Sequence, residues 1–141
     1  MTQTRTRQPV LSKELSRKLD AVTRQLAGLN RELASQLISL SAQTGDTQPL
    51  VNAVQALRKV QAHYAEGHAP RENAEVNEAL ADTLAKLGRA RGDRSALEHS
   101  VLAYRSAITL SSLLGDDAWR RDLRLKYQAV QADIALGQLA A

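Results

Sequence analysis

The sequence predicts an all-α domain of about six antiparallel helices, and three observations lead to this fold class. Leu and Ala dominate the apolar residues, Phe is absent, and aromatic residues make up 3% of the 141 residues, a composition that suits closely packed helices better than strands. Apolar residues recur at steps of three and four, which is the helical period. No segment alternates apolar and polar residues as a half-buried strand does.

A stripe of apolar residues predicts the first helix. It begins at Leu11 and ends at Leu40, with steps of three and four residues. Gly28 interrupts it, so the segment forms either one long helix or two helices that meet near this glycine, and Pro9 fits the first turn. Because the stripe resembles the seam of a coiled coil, it predicts self-association or a docked partner. The apolar end of the last helix, from Ile134 onward, is the other candidate surface for a homo-oligomer.

Turn signals divide the rest of the chain. Three glycine–aspartate pairs each offer a glycine for the left-handed end of one helix and an acidic side chain to cap the next. These pairs are Gly45-Asp46, Gly92-Asp93 and Gly115-Asp116. Pro49 and Pro70 fit the first turns of helices, and Ser95 with Glu98 fits a capping box. The helices are therefore expected to be joined by short loops.

The chain matches itself without a gap when it is shifted by 47 residues. Residues 33–60 then align with residues 80–107, with ten identities in 28 positions. A repeat of this length is typical of a stacked array, in which each unit buries its apolar face against its neighbours. We predict repeat units at about 30–67 and 77–114, followed by a partial unit at 116–138.

Positive charge is concentrated at the N-terminus. Residues 1–31 hold seven basic residues against two acidic ones, whereas the whole chain has a net charge of +4. Residues 1–8 are polar and lack a period, so we predict a disordered basic tail ahead of one helical-repeat domain over residues 9–141. A basic arm of this kind can neutralise the phosphates of nucleic acid or of an anionic membrane surface. The candidate residues are Arg5, Arg7, Lys13, Arg17, Lys18 and Arg24.

Several classes of function have no support in the sequence. Cysteine is absent, which excludes thiolate chemistry and disulfides, and no hydrolase, nucleotide-binding or metalloprotease motif is found. Glu75, Glu78 and Asp82 share one helix face, but they lack the histidine partners of a di-metal site and are interpreted as charges near a helix start. We therefore predict no catalytic residue, metal or cofactor, and a protein that is not an enzyme.

The same composition gives an expectation for where the protein acts. No apolar run reaches the roughly 20 residues that span a bilayer, and no signal-peptide core follows the N-terminal arginines. Arg outnumbers Lys, as in proteins from GC-rich bacterial genomes. We expect a bacterial, cytoplasmic protein without a membrane span.

The stretch Ala79–Leu110 carries the clearest unit of the repeat. Large and small apolar residues alternate at helical spacing on both sides of a Gly-Asp turn, and the pattern resembles a tetratricopeptide repeat (TPR). The residues that carry it are Leu80, Leu84, Ala85, Gly92, Asp93, Ser100, Tyr104 and Ala107. The family's usual period is about 34 residues, its closing proline is absent here, and Leu57 stands where the first copy would have the aromatic residue.

The resemblance implies a short right-handed α-solenoid of TPR-like helix pairs, with a groove that binds a peptide or helix of a partner protein. A plain antiparallel helical bundle is the alternative architecture. Positions carried over from the family place four residues in the groove: Arg31, Glu78, Lys86 and Arg89. We therefore predict a protein-interaction module, an adaptor or chaperone-like scaffold. The alternative is a nucleic-acid-binding regulator that uses the basic N-terminal arm.

Overall fold

The computed structural model describes the backbone of residues 2–65 and 69–140, and the side chains of residues 12–65 and 69–138. These residues form five α-helices and no strand, so the all-α prediction is confirmed, with five helices described where we predicted about six. The helices are α1 (Thr2–Thr44), α2 (Gln48–Tyr64), α3 (Pro70–Arg91), α4 (Arg94–Leu113) and α5 (Asp117–Ala140). None of the described helices has the length and hydropathy needed to cross a membrane.

The difference in helix number arises at Gly28, because α1 continues through it as one helix of 43 residues. Glycine inside a helix costs about 1 kcal/mol relative to alanine. Ala27 and Ala34, on either side of this position, are both buried in contacts with neighbouring helices. That packing holds the segment helical across the glycine.

The start of α1 also differs from the prediction. We predicted a disordered tail over residues 1–8, whereas the structure places residues 2–8 in α1, and Pro9 lies inside the helix rather than in its first turn. Extending an existing helix adds one hydrogen bond per residue without the cost of a new nucleation step. This is the physical reason that α1 continues beyond its stripe of apolar residues.

Three glycines end helices as predicted. Each has a positive φ angle, 75° at Gly45, 62° at Gly92 and 72° at Gly115, a region that L side chains rarely adopt. An aspartate follows each glycine and accepts a hydrogen bond from a backbone N–H at the start of the next helix. The donors are Gln48 for Asp46, Ala96 for Asp93 and Trp119 for Asp116.

The capping box predicted from Ser95 and Glu98 is wrong. Asp93 is the N-cap residue of α4, so Ser95 already lies inside the first turn. The Glu98 carboxylate instead pairs with the guanidinium of Arg94, at 2.9 Å between Oε1 and Nε. The aspartate is the better cap because it directly follows the glycine that ends α3.

Helices that are consecutive in the sequence pack against each other, and α3 also contacts α5. Since each connection is short, consecutive helices run antiparallel. Small residues allow α3 and α4 to approach closely. The Ser100 hydroxyl donates a hydrogen bond to the backbone carbonyl of Ala81 at 2.7 Å, and Gly88 faces the side chain of Leu97. The core consists mainly of Ala, Leu and Val from all five helices.

Positions 47 residues apart have matching burial where helices pack. In each of six pairs, both residues are at most 7% exposed. The pairs are Ala34/Ala81, Leu50/Leu97, Ala53/Ser100, Ala56/Ala103, Leu57/Tyr104 and Val60/Ala107. The similarity that the sequence shows at this spacing is therefore accompanied by similar burial at these six pairs of positions.

We predict opposite effects for two glycine-to-alanine substitutions. A Cβ at Gly88 would lie 2.7 Å from Leu97 Cγ and Cδ2 and 3.1 Å from the Asp93 carbonyl oxygen, so Gly88→Ala should lower the free energy of unfolding by about 1–3 kcal/mol. No atom lies within 4 Å of a Cβ built at Gly28, so Gly28→Ala should raise it by up to about 1 kcal/mol. Urea denaturation followed by circular dichroism measures both, and shifts of equal sign would contradict the close packing of α3 on α4.

Candidate interaction site

Two carboxylates on α3 form the centre of a polar cluster that joins three helices. Glu78 accepts hydrogen bonds from Trp119 Nε1 at 3.0 Å and from Lys126 Nζ at 3.1 Å. Asp82 binds the same Lys126 ammonium through both oxygens, at 3.1 and 3.2 Å, and accepts a hydrogen bond from the Tyr104 hydroxyl. We call these five residues the Glu78–Asp82 cluster; it links α3 to α4 and α5.

The environment of this cluster shifts two pKa values. Burial raises the pKa of Tyr104, and the hydrogen bond to the Asp82 carboxylate and its negative charge raise it further, because both disfavour the phenolate. Burial by itself lowers the pKa of Lys126, but the carboxylates of Glu78 and Asp82 more than offset this, so that the net shift is upward. Tyr104 therefore stays neutral and Lys126 stays charged at physiological pH.

Three of the four predicted groove residues form contacts between helices. Arg31 on α1 pairs with Glu75 on α3, at 3.3 Å between Nη2 and Oε2. Arg89 on α3 pairs with Asp133 on α5, at 2.6 Å between Nε and Oδ2, and Glu78 belongs to the cluster described above. Lys86, the fourth, is exposed and makes no ion pair within the described part of the chain.

These contacts place α1, α3 and α5 along one charged surface, which we call the first-helix surface. Acidic and basic side chains alternate on it, because each of its four carboxylates is paired with a cation from another of these three helices. Its residues are Arg31, Glu75, Glu78, Asp82, Lys86, Arg89, Lys126 and Asp133. The pairing neutralises two of the three cations among the predicted groove residues, Arg31 and Arg89.

Sequence reasoning found the α3 carboxylates but not their partners. Glu75, Glu78 and Asp82 were interpreted as charges near a helix start, whereas each is bound by a cation from another helix. The missed residues were Lys126 and Asp133, which lie 44 residues from Asp82 and Arg89 respectively. The same separation joins Arg31 to Glu75, so a search for opposite charges at this spacing would have found all three pairs.

The basic residues of the N-terminal segment lie on the part of α1 that extends beyond α2. Lys13, Arg17, Lys18 and Arg24 are all exposed, while the side chains of Arg5 and Arg7 lie outside the described residues. Glu14 and Asp20 are exposed on the same segment. The segment therefore offers cations to solvent together with two negative charges.

Most of the described residues of the apolar stripe of α1 are exposed, although the residues of α3 equivalent to Leu33 and Leu40 are buried. Leu33 is 48% exposed and Leu80, 47 residues later, is 1% exposed; Leu40 and Leu87 are 45% and 7% exposed. In α3 this face packs against α2, which precedes it, as the contact of Val76 with Val60 and Tyr64 illustrates. No helix precedes α1 in the described chain, so the same face of α1 has no cover.

The cavities of the described residues are open clefts between helices. One cleft, of about 870 Å³, lies where α1 meets the end of α2, and its lining includes Asp20, Arg24, Lys59, His63 and Tyr64. A smaller apolar cleft of about 370 Å³ lies between α4 and α5, next to Leu102 and Ile134. No group of three or more His, Asp or Glu side chains in the described ranges is arranged to hold a metal ion.

Comparisons with protein-family models, with curated proteins and with solved structures find no match to this chain. The site is therefore interpreted from its own geometry.

We predict that Tyr104 stays protonated above about pH 10, the ordinary pKa of a tyrosine. In a spectrophotometric titration, Tyr104→Phe should therefore leave the absorbance change near pH 10 unchanged from that of the wild type. Because the pKa of Tyr104 is raised in the folded state, its stabilising contribution is complete below about pH 10 and is lost as the pH rises further. A Tyr104→Phe variant with a smaller absorbance change near pH 10 would contradict the buried contact with Asp82.

Proposed function

We propose that the chain is a non-enzymatic protein-interaction module, an adaptor or chaperone-like scaffold of TPR-like stacked helix pairs. Its first-helix surface binds a peptide or a helix of a partner protein. The matching burial of residues 47 positions apart supports stacked pairs over a plain bundle. A surface formed by packed helices is already ordered, so little conformational entropy is lost when a segment docks.

The ion pairs between alternate helices are the observation that carries this proposal. Arg31–Glu75 joins α1 to α3, and Lys126–Asp82 and Arg89–Asp133 join α3 to α5. Each pair is partly exposed, so its contribution to stability is small, about 0–1 kcal/mol. Core packing sets the positions of the three helices, and the pairs give the surface that these helices form a defined charge pattern.

The charge pattern indicates the chemistry of the bound segment. Since cations and carboxylates alternate along the first-helix surface, a segment that carries both signs of charge fits it better than a uniformly acidic one. Lys86 is exposed near Arg89 on α3 and offers a cation for a carboxylate of the partner.

We predict that charge reversal at Lys86 prevents partner binding, whereas the same change on α2 does not. Lys86→Glu removes the exposed cation of the first-helix surface and should weaken binding at least about tenfold. Lys59→Glu is the matched control, because Lys59 is also exposed but lies on α2. Affinity capture from the native cell with both variants, followed by mass spectrometry and titration of the captured protein, measures the difference.

A partner that binds the wild type and both variants equally would show that the first-helix surface is not the binding site. Circular dichroism of the two variants should match that of the wild type, since both lysines are exposed. A loss of binding by Lys59→Glu alone would place the partner on α2 instead.

A nucleic-acid-binding regulator is the second candidate, and the exposed cations of the N-terminal segment are the observation that favours it. Arg17 and Arg24 lie seven residues apart on one face of α1 and are both exposed. Such a row of cations can follow a phosphate backbone.

For this candidate, we predict that binding of duplex DNA weakens at least about tenfold between about 50 and 200 mM salt. Arg17→Glu combined with Arg24→Glu should abolish it, while Arg121→Glu with Arg124→Glu, two exposed positions on α5, should not. Fluorescence anisotropy of labelled DNA measures both effects. Equal loss in both double variants would indicate nonspecific attraction to positive charge rather than a site on α1.

A further inference from the structure

The exposed stripe of α1 has the spacing of a coiled-coil seam. Six aliphatic residues follow steps of four and three without exception, and each is between 48% and 64% exposed. They are Leu15, Leu19, Val22, Leu26, Leu29 and Leu33. In heptad notation, Leu19, Leu26 and Leu33 occupy a positions and the other three occupy d positions.

The stripe lies on a different face of α1 from the one that contacts the rest of the protein. Ala27, Ala34 and Ser41 are buried at intervals of seven residues, one position after the a residues of the heptad. The first repeat therefore buries a row of small side chains and leaves a row of large ones in solvent. At residues 29 to 33, the exposed row of α1 lies on the face that corresponds, 47 residues later, to the face of α3 covered by α2.

We propose that a second copy of this chain covers the stripe, with the two α1 helices antiparallel. Leu26 of one copy then packs against Val22 of the partner, Leu19 against the partner's Leu29, and Leu33 against the partner's Leu15. All six stripe residues of both copies are buried in six layers. Each α1 then covers the exposed row of the partner's α1.

The charges beside the stripe select this register. Lys18 and Glu32 both occupy g positions of the heptad and are exposed. In the antiparallel arrangement, the g positions of the two copies face each other. Lys18 of one copy then lies beside Glu32 of the partner, and this contact occurs twice, once near each end of the seam. In a parallel pair, Lys18 would face the partner's Thr23 and Glu32 would face the partner's Leu37, which gives no ion pair.

The buried area is sufficient for a stable dimer. Six half-exposed aliphatic side chains offer on the order of 100 Å² each, so that two copies bury about 1,200 Å² of mostly apolar surface. This value lies at the lower end of the range for specific interfaces. An unpaired helix segment is marginal in water, and residues 15–26 gain their packing only from the second copy.

The first test is the oligomeric state of the full chain. Sedimentation velocity should show a dimer, and Leu26→Asp should raise the dimer dissociation constant by about 100-fold or more, because it places two carboxylates next to the centre of the seam. Leu125→Asp is the matched control, since Leu125 is 66% exposed on α5 and lies outside the stripe; it should leave the dimer unchanged. A monomeric wild type, or a Leu26→Asp variant that remains dimeric, would overturn the proposal.

The second test is an exchange of charges that distinguishes the register. Lys18→Glu and Glu32→Lys should each weaken the dimer about tenfold, and the double variant should restore the wild-type affinity, because each new glutamate again faces a lysine. In a parallel dimer, residues 18 and 32 would lie about 21 Å apart along the helix, so a double variant without restored affinity would overturn the antiparallel arrangement. This inference does not depend on the proposed function, since partner capture through Lys86 can succeed or fail in either oligomeric state.

Discussion

The close approach of α3 to its neighbours is the constraint on which the rest of the structure depends. Small residues permit it: the Ala81 carbonyl receives the Ser100 hydroxyl, and Gly88 leaves room for Leu97. Because α3 lies between α2 and α4 and also contacts α5, its position determines where Glu78 and Asp82 meet their partners. The geometry of the first-helix surface therefore follows from core packing. Because protein interiors are densely packed, the helices that carry this surface have little freedom to move.

Local signals in the sequence predicted most of the helices because these signals act over a few residues. The left-handed glycines and the capping aspartates have direct stereochemical causes, which apply in any tertiary context. The number of helices was less predictable, because continuity through Gly28 depends on the burial of Ala27 and Ala34 by other helices. The ion pairs of the predicted groove residues were also unpredictable from local signals. The sequence pattern marked Arg31 and Arg89 as candidates but did not indicate the carboxylates on other helices that neutralise them.

Identical residues at repeat-equivalent positions have opposite environments at the N-terminal end. Leu33 and Leu80 are 47 residues apart and identical, yet only Leu80 is buried; among the described helices, α3 follows another helix and α1 is the first. Sequence periodicity describes which face of a helix is apolar and does not describe what lies against it. Repeat arrays commonly have polar terminal units, whereas α1 carries large exposed aliphatic residues, which the second copy covers in the dimer that we propose.

The order in which the helices pack has a consequence for how the chain folds. Most contacts join helices that are consecutive in the sequence, and fewer join α3 to α5 and α1 to α3. Closing the short loops between consecutive helices costs little chain entropy, and proteins dominated by such local contacts fold quickly, often within microseconds to milliseconds. Because each helix packs mainly against its sequence neighbours, a nascent chain can acquire structure pair by pair before its last helix has been synthesised.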